Sequence, residues 1–169
     1  MEKRDLYDEN KQLTGETIYK GQEVPKGRYY ITVIVWIQNE KKEFLIQKRV
    51  LKKDGKWSTT GGHPVSGETS KQGIFTEIKE ELGLNLESKE IILFKTIKTE
   101  DDFVDLYYLK ANIDINDVIM QKEEVADVKW ATIEEIRTLI KSKEFSDSHA
   151  KFFEYCIVTE KKKIFKLKD

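Results

Sequence analysis

The stretch from Thr69 to Gly83 constrains this 169-residue chain more than any other, because both ends of a helix are marked in it. Thr69 is followed three residues later by Gln72, the capping-box pattern in which each side chain satisfies a backbone N–H of the other. Gly83 stands where a left-handed residue stops a helix. Ile74, Ile78 and Leu82 recur at i, i+4 and i+8, an apolar stripe able to seat the helix on a sheet. Beside that stripe Glu77, Glu80 and Glu81 stand at i, i+3 and i+4, and at about 100° per residue they share an arc of roughly 100°. Like charges at these spacings repel, and a hard divalent cation would offset the repulsion, because magnesium or manganese takes oxygen ligands and bridges carboxylates to phosphates. By itself E-x-x-E-E more often describes a solvated acidic face.

What flanks the helix is β-rich. Arg28 to Gln38, RYYITVIVWIQ, is dense in β-branched and aromatic residues, and Asn39 to Lys42 turns the chain into a returning strand from Glu43 to Val50. Trp57 to Thr60 reads as a short strand before Gly61-Gly62, where two glycines permit close backbone approach. Ile91 to Lys98, Phe103 to Ala111 and Val125 to Trp130 follow as strands, then Thr132 to Lys141 and Asp147 to Val158 as amphipathic helices. Residues 1–24 read as an irregular arm or small hairpin, and 160–169 as a weakly ordered tail. With no internal repeat or linker, residues 1–169 are expected to form one domain.

Composition narrows the function classes. Thirty Lys plus Arg against 31 Asp plus Glu give a net charge of -1, no field for general nucleic-acid or membrane binding. The single cysteine, Cys156, excludes an internal disulfide, and neither a signal-peptide core nor a run near the roughly 20 apolar residues of a membrane span is present, so a cytoplasmic protein is expected. Trp36, Trp57, Phe103, Tyr107 and Trp130 are candidate stacking surfaces for a base, although their strand patterns favour the core for most of them.

Gly62 is followed after five residues by Glu68, and after seven more by Thr76-Glu77-Ile78-Lys79-Glu80-Glu81-Leu82-Gly83-Leu84. This resembles the Nudix box, G-x5-E-x7-R-E-U-x-E-E-x-G-U with U aliphatic, at every specified position except the arginine, where Thr76 stands. The resemblance implies an α/β fold, a Nudix α/β/α sandwich with a mixed β-sheet, and a hydrolase that cleaves the pyrophosphate bond of a nucleoside diphosphate derivative or related compound. It implies Mg2+, or Mn2+, as cofactor, with Glu77, Glu80 and Glu81 catalytic and metal-binding and with the Gly61 carbonyl and Glu124, opposite the helix, as further metal ligands. Arg49, Lys53 and His63 would bind the small-molecule diphosphate, with Glu68 behind the box glutamates in the same substrate-binding set. Relatives of the family often dimerise, so a homodimer is left open. The arginine that orients the box glutamates is absent, and a threonine supplies no charged fork. Lys71, Lys79 or Arg49 is the available substitute, and a catalytically weak ligand-binding module is the alternative.

The segment Gln47 to Lys53 and Lys56 to Pro64 is also similar to the matching part of isopentenyl-diphosphate isomerase, a Nudix relative that moves a double bond. There Arg49 and Lys53 would again hold diphosphate, and His63 matches a metal-binding histidine. The isomerase, however, needs a cysteine where this chain has Gly61, two N-terminal histidines where it has only His63 and His149 in all, and an acid where Lys122 stands. Hydrolysis is therefore the leading expectation.

Overall fold

A computed structural model describes residues 1–161. Nine strands and four α-helices follow one another as β1 (Lys3–Tyr7), β2 (Leu13–Tyr19), β3 (Tyr30–Gln38), β4 (Phe44–Arg49), β5 (Trp57–Ser58), β6 (Gly61–Gly62), α1 (Ser70–Leu82), β7 (Ile91–Lys98), β8 (Asp102–Lys110), β9 (Val125–Ala131), α2 (Ile133–Lys141), α3 (Asp147–Ala150) and α4 (Phe153–Lys161). The expected tail falls almost wholly outside the described residues.

β3 is the spine of a mixed sheet. It runs parallel to β8 in unbroken register from Tyr30↔Asp102 to Gln38↔Lys110. Against β4 it pairs only at Gln38↔Phe44, so the two strands part. Into that parting β6 joins β3, Gly62 opposite Val33, while β9 and β5 join β4. The parting of β3 and β4 is what leaves room for a site.

Each face of the sheet buries its own cluster. α1 packs Ile74, Ile78 and Leu82 against Val33, Val35 and Tyr107, and α2 with α3 and α4 buries Ile136, Phe153 and Ile157 against Ile34, Trp36 and Leu106. The result is the expected α/β/α sandwich with a mixed sheet. Trp36 sits at the centre of the second cluster, with the Phe153 ring centre 5.1 Å from its own.

Helix α1 ends where the sequence says it should. Gln72 N–H donates to Thr69 Oγ1 at 3.1 Å and Thr69 N–H to Gln72 Oε1 at 2.8 Å, closing the capping box. Gly83 takes φ 65° as the left-handed cap. The connection between β8 and β9 satisfies the helix's last carbonyls: Ile119 N–H donates to Leu82 O at 2.9 Å and Gln121 N–H to Glu81 O at 3.0 Å. Those two bonds bring the stretch just before β9 alongside the acidic end of α1.

Of the two readings of the N-terminal arm the small hairpin is the one found, and the expectation for the last helix changes. The N-terminal 24 residues contain an ordered antiparallel hairpin, β1 with β2, whose turn reaches the sheet through Lys11 Nζ, 2.6 Å from buried Asp105. The helix expected over Asp147 to Val158 is two helices broken at Lys151-Phe152. Consecutive residues on one helix diverge by about 100°; the break lets adjacent Phe152 and Phe153 both be buried, the first beside a cavity and the second against Trp36. Among the described residues no helix is long and apolar enough to cross a membrane.

Candidate active site

The parting of β3 and β4 opens into a cavity of about 680 Å³ lined by Glu77, Glu80 and Glu81 of α1, Arg49 and Lys53 after β4, and Glu124 before β9. Gly61, Gly62 and His63 form its rim next to α1. Local rules explain each placement. β4 buries Gln47 and leaves Arg49 half-buried at its end, so the basic residues emerge at the mouth. Gly62 leaves room for the Glu77 carboxylate, which a Cβ there would displace. At Gly61 a Cβ would fall 2.8 Å from the Val33 carbonyl oxygen and 3.1 Å from His149 Cε1. The glycine pair thus lets the loop, α1 and β3 meet without intervening side chains.

The carboxylates do not stand in equivalent surroundings. Glu77 is pushed up to about 8 by burial first and then by the charges of Glu81 and Glu80, against which the His63 backbone N–H gives partial relief. Glu81 is pushed up to about 7 by burial, opposed by a hydrogen bond from Gln47 Nε2 at 2.8 Å and by Lys53 and Arg49. Glu80 is exposed. Glu124 forms an ion pair with Lys53 Nζ, and Arg49 lies 3.0 Å from Asp54 outside hydrogen-bonding geometry, its Nε left without a partner. Two half-buried acids held from ionising chiefly by their withdrawal from water, with neighbouring glutamate charges adding to it, are what a cation would relieve, and oxygen donors of this kind suit magnesium or manganese. Among the described residues no three His, Cys, Asp or Glu side chains gather into a ready-made cage. Magnesium does not require one, because it is commonly held by one or two carboxylates with phosphate oxygens and water completing its shell.

Glu68 is a correction: it does not line the cavity. Its Oε1 accepts the Val65 N–H at 2.9 Å and its Oε2 the Thr76 hydroxyl at 2.7 Å, so it braces the loop onto α1. The position lacking the family's arginine therefore still ties the two box segments together, by a neutral donor. Lys71 and Lys79 are exposed on α1, and neither lines the cavity. His63 does line it but is pushed down to about 4, chiefly by burial and then by Arg4, with Nδ1 3.3 Å from Thr32 Oγ1 and from Ile31 O.

Several contributors escaped sequence reading. Gln47 spans Glu81 and the Thr60 hydroxyl, which it accepts at 2.7 Å. His149 is half-buried beside Gly61, pushed down to about 4 by its withdrawal from water and by Arg49, with Nδ1 3.0 Å from Thr59 Oγ1. Their signal was faint: a polar residue on an inward strand position and a histidine in a polar helix start. Among the described residues the phenyl and phenol rings of the cavity are Tyr30 and Phe152, and none of the five candidate stacking residues lines it, in keeping with the core position that their strand patterns favoured for most of them. Trp36, Phe103 and Tyr107 are core, and Trp57 and Trp130 lie elsewhere, the latter donating from Nε1 to Ile113 O at 3.1 Å.

A mixed sheet between helical layers, presenting the glutamates of one helix across a cavity from basic residues, is able to hold a divalent cation against a phosphorylated ligand. The chain belongs to the Nudix hydrolase family: the NUDIX domain profile matches residues 28–156. An uncharacterized Nudix hydrolase of Listeria monocytogenes is 36% identical over 149 residues, covering 86% of this chain and 88% of its own. Isopentenyl-diphosphate delta-isomerase of Pectobacterium atrosepticum is 35% identical over 83 residues, 47% of this chain and 46% of its own. The crystal structure of DR0079 from Deinococcus radiodurans superposes with a TM-score of 0.76 at 19% identity, covering 92% of this chain and 99% of that one, a likeness of fold.

Proposed function

We propose that this protein is a magnesium-dependent pyrophosphohydrolase acting on a nucleoside diphosphate derivative or a related diphosphate compound. The observation that carries the reading is the opposition, within one cavity, of the half-buried Glu77 and Glu81 carboxyls to Arg49 and Lys53. Glu77, Glu80 and Glu81, with the Gly61 carbonyl beside them, would hold the metal, which supplies charge neutralisation at phosphorus and lowers the pKa of a bound water. Arg49 and Lys53 grip phosphate oxygens by charge-assisted hydrogen bonds. Glu124 keeps Lys53 directed at the cavity. Glu77, or a neighbouring box glutamate, takes the proton of the attacking water. Gln47 fixes the Glu81 carboxylate, and Thr76 with Glu68 keeps the loop on the helix in place of an arginine.

Replacing Glu80 or Glu81 with Gln is expected to remove turnover while the fold persists. Full activity in both variants would sink the site assignment.

The local identity to the isomerase supports a second reading, double-bond migration in isopentenyl diphosphate. Gly61 stands where that chemistry needs a thiol, and Cys156 is buried in the cluster around Trp36 and Phe153. Incubation with isopentenyl diphosphate is expected to give neither isomer nor released phosphate, and an isomerised product would overturn the hydrolase reading.

A further inference from the structure

The N-terminal hairpin lies outside the residues matched by the family profile, yet it delivers a charged side chain to the cavity. Arg4 shares the inward face of β1 with Leu6 and is only 8% exposed. Its guanidinium carbon is 5.2 Å from the centre of the Tyr30 ring, and both residues line the same cavity as the box glutamates. Arg4 Nε has no hydrogen-bond partner. A guanidinium stays charged at any ordinary pH, so withdrawing it from water with a donor unmet is costly.

The hairpin cannot readily swing this residue away. Asp5 accepts the Ser66 hydroxyl at 2.6 Å and the Gly67 N–H at 2.9 Å, and the Ser66 N–H donates to Lys3 O at 2.7 Å. With Lys11 paired to Asp105, the strand is fastened on both sides of Arg4. Arg4 is therefore a fixed, largely buried cation bordering a ligand cavity.

The surroundings indicate what would accept from it. Arg4 reaches the cavity from β1 beside Tyr30, whereas Arg49 and Lys53 reach it from the end of β4 and the loop after it. The cavity lining also includes Glu2, Asp101 and Asp102, and the charges of Asp101 and Asp102, like that of Arg4, act on Tyr30. Asp102 already accepts the Thr32 hydroxyl at 2.6 Å and the Thr99 hydroxyl. A second phosphate would meet those carboxylates. A neutral planar group with acceptors on one edge and donors on another would find partners of both kinds.

We propose that Arg4 and Tyr30 form a nucleobase subsite selecting a base with two adjacent acceptors on one edge, guanine among the purines. A guanidinium donates in parallel to O6 and N7 of guanine, whereas adenine sets an amino donor beside N7 and turns a donor toward a donor. The subsite deepens the pyrophosphohydrolase reading and rests on it for the nucleoside class of substrate.

The test is calorimetric titration of the magnesium-loaded protein with GMP, AMP and ribose 5-phosphate, none of which contains an anhydride to cleave. The two purines stack alike, so their difference isolates the edge. GMP is expected to bind about 10-fold or more tightly than AMP, the discrimination of one bidentate pair. Arg4→Lys and Arg4→Met should bring GMP to the AMP level and leave AMP and ribose 5-phosphate unchanged. Equal binding of GMP and AMP by the wild type overturns the proposal, a result that stands even if the variants fail to fold. Equal weakening of all three ligands in the variants also overturns it and assigns Arg4 to phosphate. Because no turnover is read, base selectivity in a protein that cleaves no diphosphate would refute the hydrolase reading alone, and cleavage without base selectivity would refute the subsite alone.

Discussion

Glu77→Gln should stabilise the metal-free protein at alkaline pH even though it removes a group the activity needs. The folded protein holds the Glu77 proton up to about pH 8, while the unfolded chain releases it near the ordinary value of 4.5. Between those values the unfolded state binds fewer protons than the folded one, so stability falls as pH rises through the window. At about 1.4 kcal/mol per pH unit, complete withdrawal from water would make that loss on the order of 4 kcal/mol by pH 8. The carboxyl keeps partial access to solvent, whose screening brings the expected difference down to about 2 kcal/mol. Glutamine is isosteric, keeps an acceptor for the His63 N–H and carries no charge, so the variant escapes this loss. The assay is urea unfolding with a chelator at pH 5 and pH 8, wild type beside variant; the half-buried histidines titrate equally in both and cancel. The variant should match the wild type at pH 5 and exceed it by about 2 kcal/mol at pH 8, and saturating magnesium should reverse the order by stabilising only the wild type. Equal stability of the two proteins at pH 8 would refute the claim that Glu77 is held from ionising by burial and its neighbours.

Gly62→Ala should lower kcat by at least about tenfold with under roughly 2 kcal/mol lost in stability, since its methyl displaces the Glu77 carboxylate and little else; steady-state kinetics beside thermal unfolding separates the two effects. Thr76→Val removes the donor to Glu68 and should destabilise by about 1 kcal/mol, whereas Thr76→Ser should be near neutral, read by urea unfolding. His63 and His149 are held neutral, both pushed down to about 4, so below the ordinary 6.5 the unfolded chain binds more protons and stability falls as pH drops toward 4. His149→Gln should flatten that acid limb in unfolding curves taken between pH 4 and 6.5.

The elements written in local chemistry were readable in advance. The capping box at Thr69 and Gln72, the left-handed stop at Gly83 and the apolar stripe of α1 need only neighbours in sequence, and they appear in place. β3 and β8 were legible as dense β-branched and aromatic runs, but not their parallel register, which depends on how distant strands meet. The C-terminal helix was read as continuous because its apolar spacing is helical throughout. Nothing local announces that Phe152 and Phe153 are both buried in one cluster, with Phe152 also bordering the cavity. The same limit governs the site. Glu77, Glu80 and Glu81 were legible through their spacing and the box around them, while Gln47 and His149 act only because the parting of β3 and β4 brings them there. Glu68 was assigned to substrate on a motif position, and its actual neighbours are Thr76 and the Val65 backbone. Arg4 carried one usable signal, its alternation with Leu6 on the inward face of the hairpin.

The most direct measurement is release of phosphate-containing products from a panel of nucleoside diphosphate derivatives and base-free diphosphate compounds, with magnesium, with manganese and with a chelator. Cleavage at the pyrophosphate bond that requires the metal and disappears in Glu81→Gln is the predicted result. Silence across the panel while the same compounds still stabilise the protein would contradict hydrolysis and leave a ligand-binding module built on the same fold.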